Sequence, residues 1–176
     1  MTGLRIVAAA HTPALRRAVF GGDDGLDEGG RNAALALRPQ LSSDTAWVCS
    51  PSRAAGQTAE MLGAATFTVA AELADIDYGA WTGRGLHEVE LGDWLTSPDA
   101  SPHGGESLTG VTERAGRWLD RQAGIATTAV AHPAVVRAVV AYALNLPPDG
   151  IWRLDVAPLS ITRLTHRAGR WHLAIR

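Results

Sequence analysis

The sequence predicts an α/β domain, a three-layer α/β/α sandwich around a mostly parallel central sheet, with residues 1–176 forming one unit. Three observations predict it. Short apolar runs alternate with helical stretches along nearly the whole chain, the pattern of strands joined by helical crossovers. Two of those runs, 4–10 and 126–131, end in a histidine followed by a helix start that carries proline. No repeat, linker or low-complexity tract divides the 176 residues, a length suited to one core.

The elements follow in order. Leu4 to Ala10 reads as a buried strand stopping at His11, and Pro13 opens a helix because it fixes φ and needs no N–H there. Residues 21–25, Gly-Gly-Asp-Asp-Gly, read as a loop, and Asp27 to Arg38 as a helix stopped before Pro39. Thr45 to Cys49 is a second strand. Ser50-Pro51 then supplies an N-cap and a first-turn proline for a helix reaching about Leu62. Thr66 to Val69 is a short strand. Leu73 to Pro102, with several Gly and Trp residues, is too long for a plain connection and predicts a functional excursion with short helical pieces. Glu106 to Gln122 has one apolar face, including Leu108, Val111, Ala115, Trp118 and Leu119, and is an amphipathic helix. Ala126 to Ala131 is a strand ending at His132, and Pro133 to Leu144 is the next helix. Leu159 to Leu164 and Arg170 to Ile175 form a terminal strand pair around Ala168-Gly169.

Composition excludes several function classes. The net charge is −2 without a basic stripe, so nucleic acid is not an expected partner. The chain has no lysine, which removes Schiff-base chemistry, PLP attachment and the lysine of a P-loop. Cationic help must come from arginine, protonated histidine or a helix N-terminus. Cys49 is the single cysteine, so no intrachain disulfide forms and a reducing, cytoplasmic setting fits. The first residues lack the basic start and long apolar run of a signal peptide. Val135 to Leu146 is too short to span a bilayer, so no membrane partner is expected.

Sites in parallel α/β sheets gather at the carboxyl ends of strands. His11 and His132 both stand at such junctions. Either alone would more often be structural, but two at equivalent junctions of neighbouring strands would meet at one rim. The helix opening at Pro133 directs free N–H groups to that rim, which suits an anion and disfavours protonation of a nearby imidazole. A neutral imidazole is what a nucleophile or base requires.

Six segments carry a specific likeness. Ala10-His11-Thr12 resembles the Arg-His-Gly opening of the histidine phosphatase (phosphoglycerate mutase-like) superfamily. Residues 26–33 resemble its Leu-Thr-x-x-Gly-x-x-Gln-Ala helix start. Residues 49–60 resemble Ser-Ser-Pro-Leu-x-Arg-Ala-x-Gln-Thr-Ala-Glu. Residues 73–83 resemble Leu-x-Glu-x-x-Phe-Gly-x-Trp-Glu-Gly. Residues 104–107 match Gly-Gly-Glu-Ser, and residues 130–137 resemble Val-Ser-His-Gly-x-x-Ile-Arg. They occur in the family's order and span nearly the whole chain.

The resemblance implies a strand-end histidine that attacks phosphorus, a carboxylic acid that protonates the leaving oxygen, and a second histidine and two arginines that hold the phosphoryl group. By position His11 is the nucleophile, His132 the second histidine and Asp75 the acid, with Asp77 as its rival. The arginines depart from the pattern: Ala10 and Ala54 occupy their positions. Arg53 is one residue early, and one helical step turns a side chain by about 100°. Arg16, Arg17 and Arg137 are the substitute cations to consider. Thr12 and Pro133 complete the expected substrate-binding set with Arg53.

Three readings stay open. The chain is a hydrolase of a small phosphorylated metabolite using substitute cations, which the resemblance favours. Alternatively, it keeps the histidine–carboxylate pair for dehydration, isomerisation or ester cleavage on a substrate without a dianionic phosphate. The third reading is a non-catalytic binder. No metal or other cofactor is implied, the partner is a small-molecule substrate, and a homodimer is carried over only as a family habit. Other residues have blander readings. Cys49 is a buried filler, His87 and Glu88 lie on a solvated face, His103 is a turn residue, Trp81 and Trp94 pack the excursion, and Glu106 and Ser107 cap a helix.

Overall fold

The computed structural model describes residues 3–41 and 45–175; Met1 and Thr2, which begin the stretch read above for a leader, lie outside them. Six strands form one sheet: β1 (Leu4–Ala8), β2 (Ala46–Cys49), β3 (Thr68–Val69), β4 (Thr127–Ala131), β5 (Ile161–Arg167) and β6 (Arg170–Ala174). Their order is β3-β2-β4-β1-β5-β6. The first four strands run parallel, and β5 and β6 are antiparallel additions at one edge. The mixed α/β class and the mostly parallel sheet are those the sequence predicts.

The centre of the sheet is apolar on both faces, as a parallel sheet between helices requires. All five residues of β4 are buried. The strand period of two divides its side chains and those of β1 between the layers. Leu4, Ile6, Ala8, Ala129 and Ala131 join one cluster, with α5 (Leu108–Asp120) and α6 (Pro133–Ala143). Val7, Val130 and Cys49 join the other, with α2 (Glu28–Leu37) and α3 (Arg53–Leu62). Within the first layer, Gly116 of α5 lets the Tyr142 ring of α6 lie flat against the helix; a Cβ there would stand 2.2 Å from the ring.

Side-chain caps set the helix starts. Asp27 accepts the Gly30 N–H at 2.6 Å to open α2. Ser52 accepts the Ala55 N–H at 3.2 Å, so α3 begins at Arg53, later than the expected Ser50-Pro51 start. Ser107 caps α5 through the Gly110 N–H, which releases Glu106 from the expected capping role. The β5–β6 hairpin turns through Ala168 and Gly169, both at positive φ, which matches the twist of a two-residue turn.

The excursion between β3 and α5 holds short 3-10 turns at Gly79–Trp81 and Leu86–Glu88, and α4 (Gly92–Thr96). Trp81, Trp94, Tyr78, Phe20 and His103 pack as one aromatic cluster with ring centroids 4.8–6.3 Å apart. His103, expected in a plain turn, is 3% exposed at the centre of this cluster. Among the described residues, no helix is long and apolar enough to cross a membrane.

Candidate active site

The carboxyl ends of β1 and β4 lie side by side, with Ala8 opposite Ala131. The Ala9 N–H continues the pairing to the Ala131 carbonyl at 2.8 Å. The Ala10 N–H then turns to Thr58 Oγ1 of α3 at 3.1 Å, and that hydroxyl donates to the Ala54 carbonyl at 2.7 Å. This pins the backbone just before His11. Thr12 follows and caps α1 (Pro13–Arg16) by accepting the Leu15 N–H.

A cavity of about 210 Å³ opens at this rim. It brings together Thr12, Asp75, His132, Pro133 and Arg137 from the expected set, with Tyr78 as a further polar residue. His132 is the N-cap of α6, and its ring makes no capping bond. The N-terminal turn of α6 therefore keeps uncapped N–H groups and its partial positive charge beside the cavity. His132 Nδ1 stands 3.8 Å from Asp75 Oδ2, and its buried Nε2 has no hydrogen-bond partner among the described residues. That separation is electrostatic contact rather than a hydrogen bond. Asp75 is held by its own backbone, its Oδ1 accepting the Ile76 N–H at 2.9 Å. Arg137 Nε donates to the Leu154 carbonyl at 2.9 Å. Its two terminal amino groups have no partner among the described residues. Burial first, and then the charge of Asp75, push the Tyr78 phenol well above its ordinary pKa, so this group stays a neutral donor.

The rest of the lining divides sharply. Leu15, Ala18, Val19, Phe20 and Leu86 make an apolar wall, and Asp23 and Asp24 stand at its end. Asp23 Oδ1 accepts the Arg53 N–H at 2.7 Å, so the protein's own carboxylate occupies the N-terminus of α3.

Several expected residues lie elsewhere. His11 is half-buried and is not among the cavity-lining residues; its carbonyl accepts the Asp27 N–H at 3.1 Å. Arg16 does not reach back toward His11 but pairs with Asp27. The Arg16 hydrogen bond, followed by the Gly30 N–H, holds the Asp27 carboxyl below the usual range. Arg17 and Arg53 are exposed and are not among the cavity-lining residues. Ala10 and Ala54, which the resemblance sets at the arginine positions, are each 1% exposed and packed with Leu26, Cys49 and Val130. Asp77 accepts the Gly79 N–H and faces away from this cavity, whereas Asp75 lines it. Burial raises the Cys49 thiol to about 12, which leaves it inert.

Sequence reasoning missed the cavity role of Tyr78. The available signal was that this residue stands where the family pattern has Phe. The apolar wall and Asp23 gave no local signal, because the loop at 21–25 meets Leu86 only through the tertiary fold.

The histidine phosphatase superfamily (branch 1) model matches residues 9–175. No curated relative matches the sequence. Among solved structures, a phosphoserine phosphatase variant from Entamoeba histolytica in complex with phosphoserine superposes with a TM-score of 0.89 at 20% identity, over 99% of this chain and 96% of that one. A mycobacterial glucosyl-3-phosphoglycerate phosphatase complexed with VO3 gives 0.87 at 24% identity, over 99% and 98%. Bacillus stearothermophilus YhfR gives 0.84 at 25% identity, over 99% and 96%. These likenesses establish the phosphoglycerate mutase-like fold, and the match along nearly the whole chain means that this protein belongs to the histidine phosphatase superfamily.

Proposed function

We propose that the protein hydrolyses a phosphate monoester of a small metabolite in the cavity at the β1–β4 rim. One observation carries the reading: a carboxyl group, an imidazole, an arginine and an uncapped helix N-terminus share one small cavity. A phosphoryl group there lies against the α6 N-terminus and Arg137, with His132 and Tyr78 as further contacts. Phosphoryl transfer asks little of the protein beyond such positioning and charge stabilisation.

In the proposed sequence His11, the neighbour in the chain of the lining residue Thr12 though not itself a lining residue, turns toward the cavity from the end of β1, and one of its imidazole nitrogens attacks phosphorus. The P–O ester bond breaks, and Asp75 gives its proton to the departing oxygen. Water then attacks the phosphohistidine, Asp75 takes a proton from it, and inorganic phosphate leaves with His11 restored. These steps need no cofactor. The apolar wall favours a compact substrate with a hydrocarbon portion, and the buried thiol of Cys49 fits work in the reducing cytoplasm.

The buried alanines favour a second reading. Without arginine at positions 10 and 54, one or two charge-stabilising donors are gone, each typically costing ~3–4 kcal/mol in the transition state. A substrate with a single charge or none would not need them, and Asp75 with His132 would then perform acid–base chemistry. Rapid quenching with a radiolabelled phosphate ester separates the two. The phosphatase reading expects an acid-labile label in the wild type that is absent from His11→Ala. No label and no ester hydrolysis, with turnover of an uncharged substrate, would establish the second.

A further inference from the structure

We propose that Arg114 and Glu106 form a clamp that positions Asp75 for proton transfer, acting on the backbone of its loop from behind. This inference rests on the reading of Asp75 as the proton donor.

A guanidinium has five N–H donors in a rigid plane. In Arg114 each has a partner. Nε and Nη2 reach the two carboxylate oxygens of Glu106 at 2.6 and 2.7 Å. Nη1 donates to the carbonyls of Glu72 and Ala74 at 2.7 and 2.8 Å. Nη2 also donates to the Asp75 carbonyl at 3.1 Å. The Glu106 N–H closes the other side of the loop by donating to the Asp77 carbonyl at 2.8 Å. The guanidinium therefore holds the backbone at residues 72, 74 and 75, and the Glu106 main chain holds it at 77, on both sides of the carboxyl that enters the cavity.

Core packing of Leu73, Ile76 and Tyr78 seats that loop, and the bonds from Arg114 and Glu106 hold its carbonyls. The loop lies between the 3-10 turns Ala71–Leu73 and Gly79–Trp81, outside the sheet ladder. The pair is largely sheltered, with side-chain exposures of 15% and 20%, so its charges oppose one another with limited screening. Arg114 comes from the rigid helix α5, which ties the loop to the core. Lysine cannot replace it, because an ammonium lacks the planar fork that serves carboxylate and carbonyls together.

The test uses the full-length protein and two esters, p-nitrophenyl phosphate, whose leaving group needs little protonation, and phenyl phosphate, whose leaving group needs more. Arg114→Gln should lower kcat on phenyl phosphate by up to about 10²-fold, the scale of a small misplacement of a reacting group, with a far smaller loss on p-nitrophenyl phosphate. In an Asp75→Asn background the same change should not alter the ratio further, because the positioned group is already gone. Equal losses on both esters, or a full additive loss with Asp75→Asn, would overturn the clamp. Glu106→Gln keeps the shape and removes the charge, and serves where Arg114→Gln folds poorly; a smaller change of the same kind is expected. Amide hydrogen exchange supplies a readout without turnover. Ile76, whose N–H binds Asp75 Oδ1, should lose protection in Arg114→Gln while the β4 amides stay protected. If the wild type hydrolyses neither ester, the phosphatase reading falls, and exchange at Ile76 alone upholds or overturns the clamp.

Discussion

Two adjacent glycines in the first turn of α2 should respond oppositely to alanine. Gly30 packs against the His11 backbone: a Cβ there would stand 2.4 Å from the His11 carbonyl oxygen and 3.1 Å from its nitrogen. Ordinary C···O contacts begin near about 3.3 Å, so one backbone must retreat by roughly 0.9 Å. Overpacking of this kind costs about 1–3 kcal/mol, against a helix-propensity gain of at most ~1 kcal/mol for Ala over Gly. The hydrogen bond from the Asp27 N–H to the same carbonyl is lost or stretched, adding about 1 kcal/mol. Gly30→Ala should therefore lose about 1–3 kcal/mol. At Gly29 the nearest atom is Arg16 Nη2 at 2.9 Å, the end of a half-exposed side chain that can swing away. Gly29→Ala should be neutral or slightly stabilising. Urea unfolding reads the difference directly, and thermal unfolding should separate the two by several degrees, at ~2–4 °C per kcal/mol for a chain of this size. Because the retreat displaces His11, Gly30→Ala should also lose ester hydrolysis more than its folded fraction explains. A Gly30→Ala protein as stable as Gly29→Ala would refute the reasoning.

Three further outcomes follow from the cavity and the aromatic cluster. Tyr78→Phe, which deletes only the phenol oxygen, should weaken binding of phenylphosphonate by about 0.5–1.5 kcal/mol in calorimetry with little change in unfolding midpoint. Asp23→Asn removes a carboxylate from the cavity wall and should tighten binding of the same probe, most visibly at low salt. His103 is held neutral because burial lowers its pKa from 6.5, with Asp77 opposing weakly. The unfolded chain binds more protons there, so this contribution to stability is complete above about pH 6.5 and drains as pH falls through the depressed folded value. Unfolding midpoints measured from neutral to mildly acidic pH should show that loss in the wild type and a flatter profile in His103→Phe.

The fold was legible because its determinants are local. Short apolar runs, prolines after strand ends, and Asp27 and Ser107 at helix starts all act within a few residues. The errors at helix starts have the same origin. Ser50-Pro51 and Glu106 both look like openings, and the geometry of the following turn awards the cap to Ser52 and Ser107. Of the expected site residues, Thr12, Asp75, His132, Pro133 and Arg137 share the cavity, all within segments that resemble the family pattern. Arg16 lies near His11 in sequence, yet its partner is Asp27, and nothing in the local pattern distinguishes those destinations. The bonds of Arg114 to the Asp75 loop span about forty residues, beyond any motif spacing.

The replaced arginines and the two helix N-termini fit one physical account. At α3, Ala54 is buried among apolar neighbours, and Asp23 already occupies the first N–H. A phosphate at that end would meet a carboxylate instead of a guanidinium. At α6, no side chain caps the helix, and Arg137 lines the same cavity. On the proposed reading, anion affinity lies on the α6 side of the cleft rather than on the α3 side. This makes Asp23→Asn the sharper probe of that asymmetry. Under this account, removing one carboxylate restores part of the anion affinity that the missing arginines would have supplied. If Asp23→Asn leaves phenylphosphonate binding unchanged at low salt, the α3 side carries no electrostatic weight, and the alanines at 10 and 54 must be explained by packing alone.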